Sequence, residues 1–130
     1  SHCYDAIILV WHEKKIGIDI ERIDRDFNHT KLAKKYFFKT NRSNDRRELN
    51  KNSILNQWCA IEAAIKWDHG KLAEDIKEWQ YFQGEKMIVH KKNKVNLNLT
   101  QINFYKWTIS LAYKESSYFM PNILCSSKIV

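Results

Sequence analysis

The chain has 130 residues, 44% of them hydrophobic and 13% aromatic, and its 22 Lys and Arg against 15 Asp and Glu give a formal net charge of +7. This length supports one domain with a real core and is too short to expect two, the aromatic content argues against disorder, and no apolar run approaches the ~20 residues of a membrane span. A basic chain attracts something acidic, whether nucleic acid, a membrane surface, a phosphorylated small molecule or an acidic protein, and a coding bias toward Lys, Asn and Ile accounts for the same charge without any partner.

No initiator Met opens the chain, so either its start has been removed or it is a piece of something longer, and no secretory n-region and h-region begin it. Cys3, Cys59 and Cys125 fit neither an even disulfide framework nor paired zinc ligands, and a reducing cytoplasm is the expected home. Cys59 reads as a small buried residue, with a catalytic thiol as the alternative. The histidines show no HExxH-like spacing, which argues against zinc.

In chain order, residues 3–11 form a β-branched and aromatic run, followed by the polar His12-Glu13-Lys14-Lys15 and then Ile16-Gly17-Ile18-Asp19-Ile20-Glu21. The pattern predicts an antiparallel hairpin with a four-residue loop. Alternation along the second strand puts the isoleucines on one face and Gly17, Asp19 and Glu21 on the other. Two carboxylates roughly 7 Å apart on one side of a strand could share a divalent cation; they also fit a solvent-facing strand whose outer positions happen to be acidic. Asp24, Asp26 and Asn28 mark the exit, and Leu32, Ala33, Tyr36 and Phe37 recur at helical spacing over residues 29–38, with Thr30 or Asn28 as cap. Residues 40–52 are polar and aperiodic, a surface loop with a short helix possible around 45–49.

Residues 53–67 make the strongest helix, with Ser53 as N-cap and Ile54, Trp58, Ile61 and Ile65 on one core face. Glu62 lies about 40° and Lys66 about 80° round from Trp58, at the border of the buried arc and side by side at i and i+4. As a surface pair they are worth only ~0.3–0.5 kcal/mol. Gly70 ends the helix region. A short helix over 71–76 precedes a hairpin of 78–83 and 86–91 about Gly84-Glu85, then a strand over 95–99 and another over 104–113, slightly broken near Lys106. The stretch after Glu115, with the only proline at Pro121, has weak periodicity. The order of elements implies an α+β domain spanning residues 1–130, an antiparallel sheet packed against two or three helices.

The strand Ile16-Gly17-Ile18-Asp19-Ile20-Glu21 and the helix Trp58-Cys59-Ala60-Ile61-Glu62-Ala63-Ala64-Ile65-Lys66 together resemble the 4′-phosphopantetheinyl transferase superfamily, whose signature is a G-x-D-x-E strand and a W-x-x-K-E-A-x-x-K helix. Ser1-His2 is similar to the S-H pair that opens the second half of the Sfp-type members, and Tyr36-Phe37-Phe38 to an aromatic pair on the intervening helix. The resemblance covers the chain to about residue 115 and implies the C-terminal half of an Sfp-type enzyme, a half-domain that pairs with a missing N-terminal half or with a second copy of itself.

What the resemblance implies is transfer of the phosphopantetheine arm of coenzyme A to a serine of an acyl, peptidyl or aryl carrier protein, with release of adenosine 3′,5′-bisphosphate. It implies Asp19, Glu21 and Glu62 as ligands of Mg²⁺, Glu62 also as general base, Lys66 on a phosphate oxygen and His2 toward the 3′-phosphate side of coenzyme A. Carrier proteins are acidic, which suits the charge of +7. Ile61 stands where the family usually has Lys, which removes a cation from the phosphate site. Two other readings stay open: a homologue that binds coenzyme A or carrier protein without turnover, and a basic nucleic-acid-binding domain, against which stands the absence of any recognised nucleic-acid motif.

Overall fold

The structure is a computed structural model and describes residues 1–37 and 50–114. Two short strands, β1 (His2–Cys3) and β2 (Ala6–Ile7), pair with each other and precede β3 (Ile16–Arg22). Helices α1 (His29–Tyr36), α2 (Lys51–Trp67) and α3 (Leu72–Asp75) follow, and then β4 (Trp79–Phe82), β5 (Met87–His90), β6 (Asn96–Phe104) and β7 (Trp107–Tyr113). The last four join β3 in one antiparallel sheet ordered β3-β7-β6-β5-β4. The α+β class and the antiparallel sheet are as expected.

The register decides what α2 rests on. Gly17 pairs with Ala112, Asp19 with Ser110 and Glu21 with Thr108, and across β7 these meet Leu99, Gln101 and Asn103 of β6. The face beneath α2 is therefore small or polar at one end and apolar toward β5 and β4, where Ile88, Leu97, Leu99 and Trp79 join Ala60, Ile61, Ala64 and Ile65 in the core. Gly17 makes this approach possible, because a Cβ there would collide with the carbonyl oxygen of Ala63 and the backbone of Trp67. Trp67 Nε1 donates to the Lys15 carbonyl at 3.0 Å, tying the end of α2 to the start of β3. In the middle, Gln101 Nε2 donates to Ser110 Oγ and to the Asn56 carbonyl, both at 2.9 Å, and Thr108 Oγ1 to Asn56 Oδ1 at 2.9 Å, so the buried hydroxyls are paired.

Several expectations are corrected. Residues 3–11 do not pair with β3. The chain reverses at Tyr4, whose φ is 54°, to form β1 and β2, and β3 instead pairs with β7 and lies at the sheet edge. Ile7, Leu9 and Trp11 consequently have no sheet face to pack on and are exposed. Helix α2 starts at Lys51 rather than after Ser53, and Asn50 is its cap, its side chain accepting from Asn52 N at 2.9 Å. It also buries more than one stripe, since Leu55, Cys59, Ala60, Ala63 and Ala64 are enclosed along with Ile54, Ile61 and Ile65. At its C-terminus His69, with φ 55°, takes the left-handed position, and Gly70 N bonds back to the Ile65 carbonyl at 2.9 Å. Phe104 ends β6 instead of opening the last strand, because the break near Lys106 is a turn through Tyr105, φ 51°.

Other expectations hold. Asn28 caps α1 by accepting from Lys31 N at 2.8 Å. Strands β4 and β5 form the expected hairpin about residues 83–85. Phe38, the proposed loop helix at 45–49, most of the 40–52 loop, and everything from Glu115 on, including Pro121 and Cys125, lie outside the described residues. Among the described residues no helix is long and apolar enough to cross a membrane.

Candidate metal centre

Strand β3 turns its acidic face inward. Asp19 and Glu21 are only 3% and 6% exposed, beneath α2, and so the solvent-facing alternative is excluded. Helix α2 lowers Glu62 and Lys66 onto the same spot from one turn apart. One carboxylate oxygen each from Asp19, Glu21 and Glu62 lie within 4.8 Å of one another. Strand alternation and the packing of α2 along β3, with its closest approach at Gly17, bring these three groups together.

Each carboxylate is held differently. Asp19 Oδ1 pairs with Lys66 Nζ and accepts from Ser1 Oγ at 3.1 Å, while Asp19 Oδ2 is buried with no hydrogen-bond partner. Glu21 Oε1 accepts from Trp58 Nε1 at 3.1 Å, and Oε2 from Arg25 Nη1 at 2.6 Å and from the Cys3 thiol at 3.7 Å. Glu62 Oε2 lies 3.7 Å from Lys66 Nζ, which also donates to Ser1 Oγ at 3.2 Å.

These positions shift proton affinities. Burial and the neighbouring Asp19 charge, only partly offset by Lys66, push the Glu62 carboxyl up to about 7. Burial also raises Glu21, with the Arg25 guanidinium opposing. Burial works against the Lys66 ammonium, yet its hydrogen bond to Asp19 and the charges of Asp19 and Glu62 outweigh that, and its pKa stands above the ordinary lysine value. Desolvation drives the Cys59 thiol well above its usual range, and its Sγ lies 3.4 Å from the Asp19 carbonyl. A thiol kept protonated in this way is a packing residue, not a nucleophile.

The donor set suits a hard cation. When ionised, the three carboxylates carry three negative charges against the two positive charges of Lys66 and Arg25, and an enclosed carboxylate oxygen without a partner is costly unless something absent satisfies it. An all-oxygen site of this kind fits Mg²⁺ or a similar divalent ion, with its remaining positions open to water or to a ligand oxygen. These residues could hold a metal ion.

Of the site residues expected from sequence, Asp19, Glu21, Glu62 and Lys66 are brought together. His2 is not: it sits on β1 with its side chain exposed, while its neighbours Ser1 and Cys3 are the ones that reach Asp19 and Glu21. Ile61 is 1% exposed and belongs to the hydrophobic core, so position 61 is not part of the carboxylate cluster. Four partners escaped sequence reasoning: Ser1, Cys3, Arg25 and the indole N–H of Trp58. Trp58 carried a signal, four residues before Glu62 on one helix face; Arg25 follows the strand by a turn and carried none. No protein family matches this chain, and neither any curated protein nor any solved structure matches it.

Proposed function

We propose that this protein is a 4′-phosphopantetheinyl transferase domain, acting with Mg²⁺ to move the phosphopantetheine arm of coenzyme A onto a serine of an acyl or peptidyl carrier protein. The convergence of the Asp19, Glu21 and Glu62 carboxylates carries the reading, because a strand and a helix singled out by their motifs meet at one point in a cation-ready geometry. A magnesium ion held there would neutralise charge on both phosphates of the coenzyme A diphosphate.

The chain's own groups account for the rest. Lys66, half-exposed at the rim of the cluster and paired with Asp19, is the cation that the resemblance assigns to a phosphate oxygen. Glu62, directly or through a water on the ion, would accept the proton of the carrier serine as the serine oxygen bonds to the pantetheine-bearing phosphorus. The bond from that phosphorus to the bridging oxygen breaks, and adenosine 3′,5′-bisphosphate leaves with the electron pair. His2 is assigned to the 3′-phosphate side of the co-substrate, and the exposed Ile7, Leu9 and Trp11 suit a chain that pairs with a second, similar half.

A second reading has one observation in its favour. Ile61 stands where the resembled family usually has Lys and is enclosed in the core, a departure from the motif that fits a homologue that binds coenzyme A or carrier protein without turnover. Incubation with Mg²⁺, coenzyme A and an apo carrier protein separates the two. Addition of one phosphopantetheine by mass, lost in Asp19→Ala and Glu62→Ala, is the expected result; saturable coenzyme A binding by calorimetry with no mass increase selects the second reading.

A further inference from the structure

Lys66 is oddly placed for a residue that is to hold a substrate phosphate. Its ammonium pairs with Asp19 Oδ1, lies 3.7 Å from Glu62 Oε2 and donates to Ser1 Oγ at 3.2 Å, so it stands where a metal ion held by Asp19 and Glu62 would have to be approached. A divalent ion held ~2.1 Å from oxygens of both carboxylates would enter a space that Nζ, in contact with both residues, already shares, and the two positive charges repel there. Meanwhile Asp19 Oδ2, on a residue 3% exposed, has no partner, so the lysine satisfies this carboxylate on one oxygen alone.

We infer that Lys66 is a placeholder for the metal, that entry of a divalent cation expels its ammonium toward solvent, and that the expelled ammonium then captures an anionic diphosphate ester. This rests on the metal reading above and adds an order to it: cation first, anion second. The two flanking cations differ in the way the exchange requires. The Lys66 side chain is 42% exposed on a flexible stem and can leave, whereas Arg25 is 22% exposed, bonded to Glu21 Oε2 at 2.6 Å and stacked over Phe27, and stays. With the carboxylates ionised, the cluster then goes from a net charge of −1, which repels phosphate, to zero, and the displaced Lys66 ammonium at its rim adds a positive charge that attracts it.

The test follows Lys66 itself. Reductive methylation of the native protein, read at each lysine by peptide mass spectrometry, is run alone, with excess Mg²⁺ or Mn²⁺, and with metal plus inorganic pyrophosphate, alongside calorimetric metal titrations of the native chain and of Lys66→Met. The expected result is several-fold faster labelling of Lys66 with metal, renewed protection when pyrophosphate is added, and roughly tenfold tighter metal binding by Lys66→Met, since a competing positive charge is gone. Metal binding without faster labelling of Lys66 overturns the exchange and leaves the metal site standing. Binding by Lys66→Met alone makes the lysine a permanent plug, which also overturns it. Protection of Lys66 by pyrophosphate without metal overturns the order. No metal binding by either chain removes the metal reading itself. The labelling arm uses the native chain, so it does not depend on the folding of the variant.

Discussion

Glu62 is the residue on which the proposed chemistry and the stability of this protein compete. Its carboxyl is held at about 7 because ionising it in an enclosed space beside Asp19 is unfavourable. A carboxyl raised in this way binds its proton more tightly in the folded chain than in the unfolded one. Its contribution to stability is therefore fully present below pH ~4.5 and is lost as pH rises through about 7. At ~1.4 kcal/mol per pH unit the loss is roughly 3 kcal/mol. In metal-free buffer the melting temperature should fall between pH 5 and pH 8, and Glu62→Gln should flatten most of that slope, as followed by circular dichroism. Mg²⁺ should restore the native protein at pH 8 and do nothing for Glu62→Gln; a native melting temperature indifferent to both pH and Mg²⁺ would contradict this account. Asp19 with Glu21, and Glu62 with Lys66, were legible at this scale as two same-face pairs from residue type and spacing, and only the resemblance joined the two pairs in one site. Arg25, Ser1 and Cys3 were not, because their approach depends on how the chain turns before and after the strand.

Among the elements, the contact between β3 and α2 matters most, and it depends on a missing side chain. At Gly17 a methyl group would strike the Ala63 carbonyl and the Trp67 backbone, and backbone cannot step aside as a side chain can. Gly17→Ala should cost about 2–3 kcal/mol in urea denaturation and, by lifting the helix, weaken metal binding as well. Wild-type stability for this variant would show that α2 does not rest on β3 as described. The helix was readable from its period, but its first turn was not, since Lys51 and Asn52 look like loop and the cap falls on Asn50. The hairpin expected at the N-terminus failed for a different reason. Alternation says which residues can form a strand and nothing about which strand they join, and β3 found its partner in β7, about ninety residues on.

For the molecule as a whole, the charge of +7 acts on encounter more than on fold. Part of it gathers where Lys14, Lys15 and Lys114 line a groove with Trp67 and Tyr113, near the start of β3. Under the proposed function, modification of an acidic carrier protein should therefore slow markedly as salt rises from ~50 mM to ~500 mM, chiefly through KM, because the Debye length contracts from over ~10 Å to a few ångströms. A rate independent of salt would remove charge from recognition, and tight salt-dependent binding of DNA or RNA in its place would favour the nucleic-acid reading. The amino-acid order alone determined that the chain forms an α+β domain, that its acidic strand positions share one face, and that α2 offers Glu62 and Lys66 together, since period and residue type are local properties. Only the tertiary structure decided that the acidic face turns inward, that β3 pairs with β7, and that Lys66 lies on Asp19. Those outcomes depend on strand register and on how closely two backbones can approach, and neither is set by any one segment of the chain.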